Sequence, residues 1–169
     1  MVRVVSQNVM SQNVMPQNKA SQRKFAALDE DDLAVISAHV QDAAVVAADI
    51  LWRPAENRLV VGMRRPDCEE ILAGECVPRR LISALRFDRV LSCRSRDIDI
   101  TASDLALTLL GLEFHPGKAP GGAVLLLFAS GGVLRLEVEC LECELADLGP
   151  DSLVTGPAAA HNLPADTDI

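Results

Sequence analysis

Aromatic residues are scarce in this chain, which has one Trp, four Phe and no Tyr among its 169 residues. Apolar residues still make up 49% of the sequence, so a core can form, and its side chains must be mainly aliphatic. No apolar run approaches the roughly 18 residues that a membrane-spanning helix needs. The first residues also lack the compact apolar stretch of a secretory signal. We therefore expect a cytoplasmic protein that does not enter a membrane.

The sequence fingerprints of nucleotide binding and of hydrolysis are missing as well. The chain contains no GxGxxG, no GxxxxGK[ST] and no GxSxG. Its three histidines, His39, His115 and His161, have no neighbour in sequence that would orient them for general base catalysis. We identify no catalytic residue and no cofactor, and we favour a protein that is not an enzyme.

Five cysteines, an odd number with irregular spacing, do not form the framework of a disulfide-rich protein. Cys140 and Cys143 form a CxxC, but the four glutamates within residues 137–144 oppose thiolate formation. A structural zinc site would need a second pair with similarly tight spacing, and seven residues separate Cys68 from Cys76. We therefore expect core cysteines and no metal site.

The chain divides into one domain and two tails. Residues 6–10 and 11–15 repeat the pentapeptide SQNVM, and this polar, low-complexity beginning has little that could form a core. We predict a disordered tail over residues 1–24, a single α+β domain over 25–150 and a flexible acidic tail over 151–169.

A run of four acidic residues marks the start of a helix. Asp29 has the position of an N-cap, and Leu28 and Leu33 have the positions of a hydrophobic staple. The apolar stripe that follows consists of Leu33, Ile36, Val40 and Ala44. This spacing predicts a helix of about three turns that packs one face on the core.

After the helix, apolar and polar residues alternate with a period of two, which predicts strands. The predicted strands cover residues 45–53, 58–65, 80–96 with a kink near Asp88 and Arg89, 105–114, 123–129 and 133–145. Residues 66–78 form a predicted polar loop. Because the other connections are short, we expect an antiparallel meander.

The alternation in the last predicted strand changes phase at Cys140 and Leu141. A β-bulge at these two residues would restore the phase. Alternatively, the strand ends there and a short helix follows, ending at Gly149 and Pro150.

The predicted strands 105–114 and 123–129 are apolar at nearly every position, so both of their faces must be covered. One helix covers only part of this surface. We therefore expect a sheet that rolls into a two-layer roll or into a barrel shaped like that of pleckstrin-homology domains. The alternative is a second copy of the chain that covers the remainder, which would make the protein a homodimer.

Charge is distributed unevenly along the chain. Ten of the 16 basic residues are arginines between Arg53 and Arg96, and residues 53–96 carry a net charge of +4. Residues 25–52 and 97–169 carry −6 and −10, and the whole chain carries −8. This acidic balance disfavours nucleic acid as a partner. A small anionic ligand or the acidic surface of a protein fits better.

Arginines are the candidate binding residues. The six that we select are Arg64, Arg65, Arg80, Arg86, Arg94 and Arg96. On one strand over 80–96, the last four share parity and point to one face, while the other two approach from the neighbouring hairpin. Guanidinium groups bind carboxylates and phosphates through paired hydrogen bonds. Ile82, Ala84 and Val90 share this face, and such a mixture is typical of protein interfaces.

These observations predict a non-catalytic binding or assembly module that uses the arginine-bearing sheet face. The partner would be a second copy of the chain or an acidic protein. The alternative is a small enzyme or sensor for an anionic metabolite, in which arginines hold the anion and His39 or His115 lies near it.

A resemblance to a known family rests on three segments. They are ALDEDDLAVISAHVQDA (residues 27–43), FDRVLSCRSRDID (87–99) and GGVLRLEVECLECELADLG (131–149). In order and spacing they resemble an alphaproteobacterial family of uncharacterised proteins, domain of unknown function 2948, over about residues 25–150. The resemblance implies a bacterial cytoplasmic protein of one small domain. It implies no activity and no catalytic residue.

Overall fold

The computed structural model describes residues 23–67 and 79–151. In these ranges one α-helix, α1 (Glu30–Val40), packs against a sheet of ten strands, and every strand pair is antiparallel. The strands are β1 (Lys24–Ala27), β2 (Ala43–Val46), β3 (Ile50–Arg53), β4 (Arg58–Pro66), β5 (Arg80–Phe87), β6 (Val90–Arg96), β7 (Ala106–Pro116), β8 (Gly122–Phe128), β9 (Val133–Val138) and β10 (Cys143–Pro150). The expected antiparallel sheet with one helix is confirmed.

Three predicted segments lie almost wholly outside the described residues. They are the tails predicted over residues 1–24 and 151–169 and the loop predicted over 66–78. Residue 24 already belongs to β1, whose backbone pairs with β10. The described fold therefore begins slightly before the predicted domain boundary.

The helix begins where the acidic run predicts. The Asp29 side chain accepts a hydrogen bond from the backbone N of Asp32, with an N–O distance of 2.8 Å. Leu28 is 70% exposed, so the predicted hydrophobic staple with Leu33 does not form. Ala44 lies in β2 and not on the helix, because the helix ends at Val40 and the chain turns at Asp42, where φ is 64°.

The order of the strands in the sheet is β1-β10-β5-β4-β2-β7-β8-β9-β6, and β3 pairs with the first four residues of β4. β7, β8 and β9 form a meander, as predicted. β10 leaves this meander and pairs with β5 and β1. The phase change at Cys140 and Leu141 therefore marks a connection between two separate strands, so the predicted bulge and the predicted short helix are both wrong.

The strand predicted over residues 80–96 is two strands in different parts of the sheet. β5 pairs with β4 and β10, whereas β6 pairs with β9 at the far end of the strand order. The chain turns between them at Asp88 and Arg89, and Arg89 has a φ of 59°. Parity along one strand therefore does not bring the four arginines of this segment to a common face.

The inner face of the sheet and the buried face of α1 share one hydrophobic core. Its residues are mainly Leu and Val, in line with the aliphatic core that the composition predicts, and Phe87 and Phe128 are its large aromatic members. β1 and β6 are the ends of the strand order, and the sheet is not closed. The expected barrel or two-layer roll is therefore not confirmed. Leu110 on the outer face of β7 is 47% exposed, so that face is not fully covered within the described residues.

Candidate functional site

Arg65 is part of an internal ion pair and not of a surface. Its side chain is 1% exposed, and its Nε and Nη2 donate hydrogen bonds to the Asp147 carboxylate at 2.8 and 2.6 Å. Ser83 Oγ donates to the same carboxylate at 2.7 Å. This cluster joins β4, β5 and β10 in the interior. Because the guanidinium is buried and its third nitrogen, Nη1, also donates a hydrogen bond, to the Pro66 backbone oxygen at 3.2 Å, Arg65 does not belong to a surface binding site.

Arg64 and Arg80 lie together on the outer side of β4 and β5. Arg80 Nη1 donates a hydrogen bond to the backbone oxygen of Arg64 at 3.3 Å. Arg64 Nε lies 3.2 Å from Oδ2 of Asp151, whose side chain is 3% exposed. Asp151, directly after β10, therefore balances the positive charge of Arg64.

Arg86 lies in a polar hollow of about 390 Å³ between three turns. We call it the turn hollow, and its lining residues are Glu56, Asn57, Arg58, Arg86, Asp88, Arg89 and Glu142. Backbone hydrogen bonds of 2.9–3.0 Å join the three turns: from Val90 N to the Asn57 oxygen, from Asp88 N to the Glu142 oxygen and from Glu139 N to the Arg89 oxygen. The hollow therefore has a frame fixed by main-chain contacts.

Asp88 lies between two guanidinium groups in the turn hollow. Arg58 Nε donates to Asp88 Oδ1 at 2.7 Å, and this hydrogen bond raises the pKa of the Arg58 guanidinium. Arg86 Nε is 2.9 Å from Asp88 Oδ2, yet its N–H is not aligned with that oxygen. This contact is an ion pair and not a hydrogen bond, because a hydrogen bond weakens steeply when it is bent. Arg86 Nε is therefore a buried donor with no aligned acceptor among the described residues.

Arg89 completes the turn hollow with a more exposed guanidinium. Its side chain is 61% exposed, and its nitrogens lie 3.7 Å from a Glu142 oxygen and 4.0 Å from a Glu139 oxygen. These distances are too long for hydrogen bonds. Sequence reasoning missed Arg58 and Arg89 because it followed strand parity, and only tertiary contacts bring the turns together.

Arg94 and Arg96 lie on the outer face of β6, where the sheet ends. Arg94 is directly opposite Arg135 of β9, which is opposite Leu125 of β8. In the next row, Arg96, Val133 and Leu127 are opposite one another. We call these six residues the basic edge face: Arg94, Arg96, Arg135, Leu125, Leu127 and Val133. The three arginines are exposed and the three aliphatic residues are partly exposed.

The positive charge of the basic edge face is incompletely balanced. Arg135 Nε donates to Glu137 Oε1 at 2.7 Å, and Arg96 Nε lies 3.8 Å from Asp97 Oδ2. Within the described part of the chain, Arg94 has no carboxylate at ion-pair distance. Like charges directly opposite each other destabilise a strand pair. Arg135 lies outside the arginine-rich segment, but its alternation with Leu134 and Leu136 was a signal that it faces outward.

Two of the three histidines, His39 and His115, lie in the described residues. His39 stacks on Phe25, with ring centroids 4.4 Å apart. His115 Nε2 is 2.9 Å from Glu113 Oε2, and both residues line a second hollow of about 220 Å³ beside α1. No described arginine lines that second hollow. The hollow that His115 lines is therefore separate from the arginines that sequence analysis selected.

The CxxC lies at the start of β10. Cys143 is 3% exposed, and burial, with a smaller contribution from Glu144, raises the pKa of its thiol. Burial also raises the pKa of the Cys93 thiol. In the ranges 23–67 and 79–151, no group of three His, Cys, Asp or Glu residues is arranged to hold a metal ion. Both raised pKa values oppose thiolate chemistry.

The fold and its arginine clusters define a small antiparallel protein with one helix and no recognisable catalytic constellation in its described residues. Residues 23–161 match a protein family described as "Protein of unknown function (DUF2948)", and the chain belongs to this family. The resemblance found in the sequence is thereby confirmed. No curated protein and no solved structure matches the chain. None of the helices in the described ranges has the length and apolar character needed to cross a membrane.

Proposed function

We propose that the protein is a non-catalytic binding module that docks an acidic protein segment on the basic edge face. The observation that carries this proposal is the position of Arg94 directly opposite Arg135, on an exposed surface and without a carboxylate partner of its own among the described residues. A carboxylate placed between the two guanidinium groups would relieve their repulsion and accept hydrogen bonds from both. An acidic partner therefore matches the charge of this face.

The apolar half of the face favours a protein over a nucleic acid. Leu125, Leu127 and Val133 lie beside the arginines and are only partly buried. Arginine beside apolar side chains is typical of the centre of protein interfaces. Single-stranded nucleic acid is usually bound with aromatic side chains that stack on bases, and this face has none. The whole chain is also acidic, which opposes binding to phosphate backbones.

The position of β6 also suggests how the partner binds. β6 ends the sheet, so backbone groups along one side of this strand are not paired within the described sheet. An extended segment can add to such an edge through main-chain hydrogen bonds. Its alternate side chains would then lie next to Arg94 and Arg96 on the outer face. We therefore propose an extended segment with acidic residues at alternate positions.

A direct test uses a synthetic peptide in which Glu and Val alternate, titrated into the full-length protein and followed by fluorescence anisotropy. Arg94→Glu should weaken binding by about tenfold or more, since a charge-assisted contact is lost and a repulsive one is created. Arg53→Glu is the matched control, because it makes the same change of charge on β3, where the side chain is 55% exposed. Equal affinity of the native protein and Arg94→Glu would refute the proposal, as would equal weakening by both variants.

The partner could also be a second copy of the chain, because the outer faces of β7 and β8 retain apolar residues. Sedimentation of the native protein and of Arg94→Glu across a range of concentrations distinguishes this case. A dimer that the substitution dissociates would identify the acidic partner as another copy. A native monomer would leave a different protein as the partner. We also propose that the protein acts in the bacterial cytoplasm, as the sequence analysis leads us to expect.

A further inference from the structure

We infer that the turn hollow binds a small molecule through a single carboxylate or phosphate group. This site is separate from the basic edge face, since the two share no residue. Its volume of about 390 Å³ is within the range of small-ligand pockets. The inference rests on the backbone of the turns, on the directions of the guanidinium groups and on the charge balance of the lining.

Two residues that line the turn hollow have a left-handed backbone. Asn57 and Arg89, at two corners of the hollow, have φ angles of 50° and 59°. Asparagine tolerates this left-handed region, but arginine has no local hydrogen bond that favours it. Strained residues persist where the surrounding structure fixes them, and they are concentrated at functional sites. Here the backbone oxygens of both residues accept hydrogen bonds from neighbouring turns. The hydrogen bond to its backbone oxygen therefore fixes Arg89 in the left-handed conformation, and this conformation places its guanidinium at the hollow.

The three guanidinium groups that line the turn hollow differ in how well their hydrogen-bond donors are used. The buried Arg86 Nε–H has no aligned acceptor among the described residues, and such groups are rare because they are costly. Arg58 donates from Nε to Asp88 and, at 3.4 Å, from Nη1 to Glu56. Arg86 Nη2 lies 3.6 Å from a Glu144 oxygen, and Arg89 makes only the long contacts with Glu139 and Glu142. An oxyanion in the hollow would supply an acceptor for the Arg86 Nε–H and for the Arg89 guanidinium, which presents its donors in the geometry that carboxylates and phosphates match.

The charge balance limits the kind of ligand. Three arginines line the hollow together with three acids, Glu56, Asp88 and Glu142, so the lining is formally neutral. A polyanion would gain little net attraction from such a site and would be repelled by its three carboxylates. A compact ligand with one oxyanion group would meet less of this repulsion while it accepts hydrogen bonds from the arginine donors. The same neutrality separates this hollow from the basic edge face, where positive charge is in excess.

The test observes the donors directly. The side-chain Nε–H resonances of the arginines are followed by ¹H–¹⁵N NMR while inorganic phosphate and, separately, acetate are titrated into the full-length protein at low chloride. We expect the Arg86 resonance to shift saturably with at least one of the two anions. The anion that saturates at the lower concentration identifies the group that the ligand carries.

Arg89→Asn is the decisive variant, since asparagine accepts the left-handed backbone and removes the guanidinium. It should weaken anion binding by about tenfold or more while the backbone spectrum remains that of the folded protein. Arg58→Gln provides a second variant with the same expected loss. Lys118→Ala, which removes one exposed charge in the β7–β8 turn, should leave binding unchanged.

Two results would overturn the inference: no saturable shift of the Arg86 resonance with either anion, or equal affinity in the native protein and Arg89→Asn. The result is independent of the proposed function. Arg94→Glu should keep its anion binding in the hollow even though it loses the acidic peptide. Failure at one site therefore does not imply failure at the other.

Discussion

The ion pair between Arg65 and Asp147 shows what a buried charge requires. Both side chains are almost fully buried, and both carboxylate oxygens accept hydrogen bonds from the guanidinium. Ser83 adds a third hydrogen bond. Removing ions from water is costly, so such a pair contributes little net stability, but loss of one member leaves the other charge without compensation. The pair therefore fixes how β4, β5 and β10 fit together.

Asp147→Ala should lower the free energy of unfolding by about 3–5 kcal/mol, because Arg65 would remain buried without a partner. Urea denaturation monitored by circular dichroism measures the change. The control is Asp97→Asn, which removes a carboxylate that is 72% exposed and 3.8 Å from Arg96 and tolerates the left-handed backbone of residue 97, so it should change the free energy by less than about 1 kcal/mol. A double variant, Arg65→Met with Asp147→Leu, should recover much of the loss. Similar stabilities of Asp147→Ala and Asp97→Asn would contradict this account.

The two cysteines of the CxxC should react very differently. Cys143 is buried and the pKa of its thiol is raised, whereas Cys140 is partly exposed. Iodoacetamide at pH 8 should therefore label Cys140 in the native protein and Cys143 only after denaturation. Mass spectrometry of proteolytic fragments measures both sites. Rapid native labelling of Cys143 would mean that the start of β10 opens readily.

At the scale of elements, the helix start depends on one side chain. Asp29 caps α1 by accepting the hydrogen bond from Asp32, and three acidic residues follow in the first turn. Asp29→Ala should lower the free energy of unfolding by about 1 kcal/mol. Asp29→Asn keeps a capping oxygen and should lose much less. Urea denaturation of both variants tests the cap, and equal losses would attribute the effect to charge at the helix dipole instead.

Local signals in the sequence predicted the elements that local chemistry determines. The cap at Asp29, the apolar runs of β7 and β8 and the alternation in β9 needed only neighbouring residues. The pairing of β10 with β5 could not be predicted, because strand periodicity does not identify a partner more than 50 residues away. The left-handed backbone of Arg89 was also hidden, since arginine has no preference for it. The turn at Arg89 separates β5 from β6. The four arginines that were predicted to share one face therefore lie on two strands in different parts of the sheet.

The candidate sites were therefore only partly predictable. Arg94 and Arg96 were selected from the sequence, but their cross-strand neighbour Arg135 is brought to them by the β6–β9 pairing. The turn hollow needed three connections to meet, and sequence analysis contributed only Arg86 to it. A binding surface that is formed by tertiary contacts is difficult to recognise in a single sequence, because its residues lie far apart in the chain. The charge pattern still indicates that such a surface contains arginine.

At the scale of the whole molecule, one hydrophobic core packs against an open sheet whose edge strands are β1 and β6. β1 pairs only with β10, and β6 pairs only with β9, within the described residues. β5 and β8 each have neighbours on both sides and contain fully buried residues such as Leu85 and Leu126. Local opening therefore costs least at β1 and β6, because fewer hydrogen bonds and less buried surface are lost there.

Native-state hydrogen exchange of the full-length protein should reproduce this order. Amides of β5 and β8 should exchange most slowly, and those of β6 beyond Val90, whose amide donates to Asn57, should exchange fastest on the side that does not face β9. A closed barrel would instead protect both sides of β6, so strong protection at low protein concentration would contradict the open sheet. Protection of β6 that grows with protein concentration and disappears in Arg94→Glu has a different cause. It would show that a second copy pairs with this edge, because closure within one chain does not depend on concentration.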